Sequence, residues 1–590
     1  MTSPTTGTVT GITANLVEIR PEGPVLQNEM CQVQAGDASL LGEVIKVTGD
    51  TAFVQVFDST RGLTVGSPVI FSGQRLVVQL GPGILSKKYD GLQNDLDKFE
   101  GIFLQRGLRS EPLDPDHRWS FVPLATVGDP IRAGDWLGEV DEQGLPHRIM
   151  APFTLQGTWT LDRLVPAGEY TIRQEIAVLR SDAGNTLPVT MVQNWAVKEP
   201  LTVYAGKMRP GKLLETGVRI VDTLHPMLEG GTGFIPGPFG SGKTVLQQAL
   251  AKQADADVVI VAACGERANE VVEIFTEFPE LEDPRTGRQL IDRTVIIANT
   301  SSMPVAAREA SVYTAMTLAE YYRCMGLRVL LLADSTSRWA QALREMSNRL
   351  EDLPGPDAFP MDLSATIARF YSRAGMVTLS NGQTGSVTFI GTVSPAGGNF
   401  KEPVTEATRK AARCFYALNQ RRADSKRYPA IEPLESYSKY LDYPEFQDYA
   451  AREVSPHWIE NARTLSNLLL KGKEAGDQIN ILGDDGVSIE NHLDFWRAEL
   501  IDFVLLQQDA FDPVDQLCPL PRQDAMSTLV LEICHRPFRF DDFQQVRPYF
   551  KRLINAIRQM NYSAWESEDY QHHYQELEGI LAEQATELAV

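Results

Sequence analysis

The sequence predicts a multidomain α/β protein centred on a parallel sheet, with small β-rich modules before it and helices after it. Three observations predict this. From about residue 200 to 435, strand-length apolar runs alternate with amphipathic helical patterns, as in a parallel sheet covered by helices. Residues 7 to about 80 contain short runs separated by Gly-Asp and Gly-Ser turns, as in a small closed barrel. Beyond about 440 strand patterns vanish, and helical ones such as Phe495–Leu506 replace them.

Within the first region, Val44–Val47, Ala52–Phe57 and Val69–Phe71 read as strands. A second β-rich block from about 110 to 190 includes Val127–Val140 and His147–Pro152. Its rhythm is that of small barrels carrying lipoyl or biotinyl groups. No lysine sits at a hairpin tip with suitable flanks, so it reads as a structural insertion. In the central region the expected strands are Asp257–Ala263, Thr294–Ala298, Leu327–Ala333 and Ser386–Val393. The expected helices are Asn269–Glu277, Val305–Cys324, Arg338–Leu350 and Leu363–Ala374. Each of the first three strands ends in a polar cluster, and ligands of open α/β sheets sit at such carboxyl ends. The expected domains are 1–80, the insertion 110–195, a central domain of 81–109 with 196–438, and a helical domain 439–590.

Composition bounds the function. At ~100–200 residues per domain, 590 residues suggest three or four domains. A formal net charge of −22 argues against a nucleic-acid motor, which needs a basic tract to neutralise phosphates. It does not argue against a nucleotide, whose phosphate site is local and built mainly from backbone amides. The six cysteines are scattered and form no C-x-x-C pair, which fits a reducing compartment rather than a disulfide or zinc framework. The eight histidines form no ligand pattern, and His572-His573 reads as a solvated helix face. No basic segment followed by an apolar stretch marks a signal peptide. No run approaches the ~18 apolar residues that span a bilayer.

The most specific motif is Gly237-Pro-Phe-Gly-Ser-Gly-Lys-Thr244. It matches the phosphate-loop pattern at every fixed position, between an apolar run, Thr232–Ile235, and a helical one, Val245–Lys252. Its glycines let backbone amides point inward around phosphate oxygens. Lys243 can reach the β- and γ-phosphates, and Thr244 can offer its hydroxyl to Mg²⁺. The run Leu327–Asp334 places a carboxylate at the end of a buried strand, where Asp334 orients Mg²⁺ or instead caps the following helix. Gly265-Glu-Arg267 follows the next strand after the loop. Glu266 can polarise an attacking water and Arg267 can stabilise phosphoryl charge; the alternative is a weak surface ion pair.

Together with Gly237–Thr244 and Gly265-Glu-Arg267, the segments Asn299–Ala310, Leu330–Glu345 and Val393–Gly398 resemble the catalytic A subunits of V/A-type rotary ATPases. The resemblance covers most of the chain, including Gly81-Pro-Gly-Ile-Leu85 and the insertion near 110–190. It implies a RecA-like phosphate-loop domain with helices on both faces of its sheet. It also implies an ATP hydrolase/synthase coupled to rotation and to H⁺ or Na⁺ transport.

By the same resemblance, Lys243, Glu266, Arg267 and Arg338 are catalytic. Gly237, Pro238, Phe239, Gly240, Ser241, Gly242, Lys243 and Thr244 bind nucleotide, with Tyr428 and Phe511 on the adenine. Thr244 and Asp334 hold Mg²⁺. For the two aromatic residues, plain core packing is the alternative. The implied partners are a non-catalytic B-type subunit in an alternating A3B3 ring, central stalk subunits and, indirectly, a membrane sector; nucleic acid is not among them. The chain is then peripheral, at the cytoplasmic face of a membrane. Gly91-Leu-Gln-Asn-Asp-Leu96 and residues 353–366 depart from the family pattern, which bears on contacts with neighbouring subunits or the stalk. Competing classes are a structural subunit without turnover, against which the intact Gly-Lys-Thr and Gly-Glu-Arg argue, and a ring helicase or secretion ATPase.

Overall fold

Short strands with alternating burial leave one apolar face each, and closure is one way to bury that face without exposed edges. The computed structural model describes residues 4–99, 107, 109–238, 240–301 and 303–587. Strands Thr6–Thr13, Leu16–Pro21, Glu29–Ala35, Ala38–Thr48, Thr51–Val56 and Pro68–Arg75 form a closed antiparallel barrel. Val9, Val17, Ile19, Val33, Leu40, Val44, Val54 and Phe71 fill it. The β-rich insertion forms two four-stranded sheets rather than one barrel. Its hairpin Trp136–Glu142 with Leu145–Met150 carries a buried contact set. His147 bonds Glu142 at 2.5 Å and the Tyr321 hydroxyl at 2.8 Å, which ties the insertion to helix Val305–Arg323.

The chain divides into two compact units. The first comprises Met1–Met208, Ala256–Val393 and Glu406–Ala411. Its parallel strands run in the order Thr384–Val393, Arg328–Asp334, Val258–Glu266, Thr294–Thr300, Lys88–Tyr89. Near-continuous Val, Ile, Leu and Ala in these strands reflects burial of both faces. The expected strand Asp257–Ala263 runs further, to Glu266. The expected helix from Arg338 starts earlier, over Thr336–Arg349. The helix expected to reach Ala374 stops at Tyr371, just before Gly375 at φ +141°.

The second unit comprises Arg209–Asp255, Ser394–Thr405 and Ala412–Val590. It holds strand Thr232–Pro236, parallel to Cys414–Phe415, and the long helices Trp458–Leu482, Ile489–Ile501, Leu520–His535, Phe543–Tyr562 and Glu568–Glu587. Arg219, 1% exposed, fastens the early part of this unit to the late part. Its guanidinium pairs with Asp515 and donates to the Leu505 carbonyl, while its backbone N–H donates to Gln508 Oε1.

The divergent turn Gly91–Leu96 does not lie at the surface, as a role in subunit contacts requires. Gln93, Asn94, Asp95 and Leu96 are buried, Asp90 accepts bonds from Leu92 and Asn94, and Thr314 donates to the Gly91 carbonyl. The polar side chains close the turn on itself and so allow it to be buried. In the other divergent segment Leu353 and Met361 are exposed. Among the described residues, no helix is long and apolar enough to cross a membrane.

The exit from the insertion is held by a buried ionic group. Glu320 accepts from the Leu201 N–H at 3.0 Å and pairs with Arg373 at 2.6 Å. Arg373 donates to the Val197 carbonyl, and Arg323 to the Leu201 and Arg373 carbonyls. Removing one member of such a group strands the others' charge in the interior. Glu320→Gln keeps the volume and removes the charge. It is expected to lower unfolding free energy by about 3 kcal/mol, measured as a downshifted calorimetric transition.

Candidate functional site

In the second unit, loop Gly237–Thr244 joins strand Thr232–Pro236 to helix Lys243–Gln253. Three positions in it require glycine, Gly240 among them at φ +80°. Gly242, the residue before the helix, stands at φ +88°, a left-handed backbone that L side chains rarely adopt. A Cβ on Gly237 would lie 2.7 Å from both Leu418 Cβ and Ser241 Oγ. The helix therefore begins without a side-chain cap, and its first turn carries no acidic residue. A helix start of this kind favours an anion. The Lys243 ammonium folds over the loop, donating to the Gly237 carbonyl at 2.7 Å and the Pro238 carbonyl at 3.0 Å. Ser241 donates to the Pro238 carbonyl. Phe239 lies outside the described residues.

Tyr428 stands beside this loop. Its ring carbon Cε1 is 3.6 Å from where a Cβ on Gly242 would be. Tyr428 is 44% exposed and Phe511 85% exposed. Neither is a core aromatic, so the core-packing alternative fails for both. Tyr428 is held by its backbone, its carbonyl accepting from the Gln508 N–H at 2.8 Å. Phe511 lies on a loop shaped by its own N–H bond to Asp509.

In the first unit, Glu266 and Asp334 end adjacent parallel strands, and Ala263 is in register with Asp334. The pairing with the next strand shifts between Cys264 and Glu266. This is a bulge, with Gly265 at φ +72° supplying the left-handed residue. It is also why the strand outruns its expected end: one glycine lets the ladder skip a residue and resume at Glu266. A Cβ on Gly265 would lie 3.0 Å from Arg338 Cβ and 3.1 Å from Arg308 Cδ. Both arginine stems therefore pack against the bulge. Arg308 follows the strand-end polar cluster of Thr294–Thr300, on the first turn of helix Val305–Arg323. Sequence reading noted its segment but not its role. The available signal was a cation one turn into a helix that follows a strand end.

Burial pushes the Glu266 carboxyl up to about 8; the neighbouring Asp334 charge and a hydrogen bond with Glu270 add to the rise, and Arg338 opposes it. Asp334 is nearly buried, and its Oδ1 accepts from the Thr392 hydroxyl at 2.5 Å. Arg338 bonds Gln341, and Arg308 lies 3.7 Å from Glu345. Arg267 is exposed at the start of helix Ala268–Glu277. Cys264 is wholly buried and its thiol is pushed up to about 12, so it packs the strand end. The structure thus gathers Glu266, Asp334, Arg338 and Arg308 around one bulge, and Lys243, Ser241 and Tyr428 around one loop. Thr244 belongs to the second unit and Asp334 to the first.

Among the described residues, no three His, Cys, Asp or Glu form a metal-holding group. Asp334 in the first unit carries a carboxylate and Thr244 in the second a hydroxyl. Each is a hard oxygen donor of the type that Mg²⁺ takes alongside waters and substrate phosphates.

The ATP synthase alpha/beta family nucleotide-binding domain model matches residues 217–438. The same family's β-barrel and barrel-sandwich domain models match 9–73 and 110–198. The C-terminal domain model of V and A type ATP synthases matches 447–537. The chain is 48% identical to the V-type ATP synthase alpha chain of Treponema denticola, over 99% of this chain and 98% of the relative. It is 48% identical to that of Borrelia recurrentis over 96% of each, and 47% identical to that of Borreliella burgdorferi over 98% of each. The chain belongs to the ATP synthase alpha/beta family, in its V-type alpha chain branch.

The raised Glu266 carboxyl makes a pH prediction for the nucleotide-free chain. In the unfolded state it ionises near 4.5, and in the folded state near 8. The folded state is therefore favoured at low pH and loses this contribution as pH rises through 8. Glu266→Gln resembles the neutral acid and escapes that loss. Its melting temperature is expected to equal wild type near pH 4.5 and to exceed it by at least about 2 °C at pH 8. A constant offset across that range would contradict the assignment.

Proposed function

We propose that the chain hydrolyses and synthesises ATP as the catalytic subunit of an ion-translocating rotary ATPase. The observation that carries the reading is Glu266, seated at a glycine bulge beside Asp334 and the two arginines Arg308 and Arg338. The phosphate loop Gly237–Thr244 holds the triphosphate through its amides, with Lys243 on the β- and γ-oxygens. Thr244 and Asp334 are the residues to hold Mg²⁺, which when bound supplies positive charge to the phosphate oxygens. Tyr428 and Phe511 present exposed rings to the adenine.

Glu266 holds the attacking water in line and takes up its proton. Accepting that proton needs the ionised carboxylate, which the neighbouring Arg338 charge favours against burial and Asp334. Arg267, Arg308 and Arg338 stabilise the charge that develops on the transferring group. Run in reverse, the same groups hold ADP and phosphate for synthesis.

Family membership supports a wider assembly as part of the same proposal. Three copies alternate with three non-catalytic B-type subunits in a ring, and the C-terminal helices bear on a central stalk. Rotation couples to H⁺ or Na⁺ passage through a separate membrane sector, placing the chain at the cytoplasmic membrane face. The neighbouring subunit contributes an arginine to the site, and a finger in trans is worth about 10³–10⁵ in rate in related hydrolases. The isolated chain is therefore expected to turn over ATP at least about 10³-fold more slowly than the co-assembled ring. Full activity from the lone chain, measured by phosphate release, would refute the shared site.

A further inference from the structure

Two acids on the C-terminal helical segment grip the residue that precedes Tyr428. Arg427 makes a two-pronged ion pair with Glu499, at 2.9 and 3.0 Å. It also pairs with Asp502, which Arg422 reaches at 2.6 and 3.2 Å. The Arg427 guanidinium lies over the Phe503 ring at 4.7 Å. Asp502 is buried and the Glu499 side chain is 18% exposed, so these pairs are screened far less than surface pairs. On its other side, Tyr428 is fixed through its carbonyl by the Gln508 N–H. Gln508 in turn donates to the carbonyls of Gly217, Asp515 and Gln516. The ring itself stays open, 3.6 Å from the Cβ position of Gly242.

The geometry is that of a surface aromatic whose backbone is clamped on both sides by one stretch of helix and turn, residues 499–508. Fixing the backbone removes the freedom an exposed ring otherwise surrenders on binding. We propose that Glu499 and Asp502 are positioning residues that, through Arg427 and Arg422, set the Tyr428 ring against the base of the bound nucleotide. The inference rests on the reading of Tyr428 as the base contact. It makes affinity for the base, and not for the phosphates, dependent on helix Ile489–Ile501 and the turn that follows it.

The test uses the assembled complex. Glu499→Gln removes one charge and leaves Asp502 to both arginines, and Arg427→Lys keeps the charge but not the two-pronged geometry. Both are expected to raise KM for ATP about five- to tenfold, with kcat within about twofold of wild type. Inhibition by inorganic tripolyphosphate, which has no base, is expected to stay unchanged. A merely structural role would move both ligands together, and that result would overturn the proposal. Tyr428→Ala separates the two layers. If it raises KM for ATP and neither clamp variant does, the clamp is wrong and the base contact stands. If Tyr428→Ala leaves KM unchanged, the base contact itself is wrong, and the clamp proposal falls with it.

Discussion

Two carboxylates at the ends of neighbouring parallel strands cannot both be ionised cheaply. Glu266 and Asp334 are held in that arrangement by backbone pairing that neither side chain can alter. The bulge at Gly265 brings Glu266 to the strand end, and Arg308 and Arg338 pack against the same glycine. Burial and the Asp334 charge together favour a protonated Glu266 in the chain by itself. An arrangement of this kind stores electrostatic energy that a nearby cation relieves. A carboxyl whose ionisation its environment displaces in this way tends to mark an acid–base role.

The phosphate loop works by the complementary device, backbone without side chains. Its glycines are needed because Leu418 and Ser241 leave no room for a Cβ and because the turn into the helix is left-handed. Its cation, Lys243, bonds the loop's own carbonyls. The loop thus offers amides, a helix start and one ammonium, whereas the strand ends offer acids and guanidiniums. Phosphoryl transfer is mostly positioning and charge stabilisation.

What could be read from the sequence was local. The loop motif, the apolar run ending at Asp334 and the Gly-Glu-Arg after the next strand each express a constraint within about ten residues of chain. The N-terminal barrel was legible because turn residues recur at short intervals, and the helical C-terminus because apolar residues follow the helical period. What was missed depends on distant contacts. The bulge reads as a strand end because Gly265 looks like a stop rather than a skipped rung. Arg308 gains meaning only where its stem meets Gly265 on the neighbouring strand. The strand Lys88–Tyr89 pairs with Thr294–Thr300, and the insertion's exit is held by Glu320, Arg323 and Arg373. None of these pairings leaves a pattern in a single sequence. The divergent Gly91–Leu96 turn misleads for the same reason, its polar residues being satisfied internally rather than by solvent.

The central claim is that Glu266 performs the chemistry while the loop performs the binding. The most direct measurement is ATP turnover by the chain assembled in its rotary complex, wild type against Glu266→Gln, alongside nucleotide affinity. The account predicts that the variant binds Mg·ATP as tightly as wild type while turnover falls at least about 100-fold, the scale of a lost general base. Unchanged turnover with unchanged binding would contradict it and would place the reacting carboxylate elsewhere in the complex.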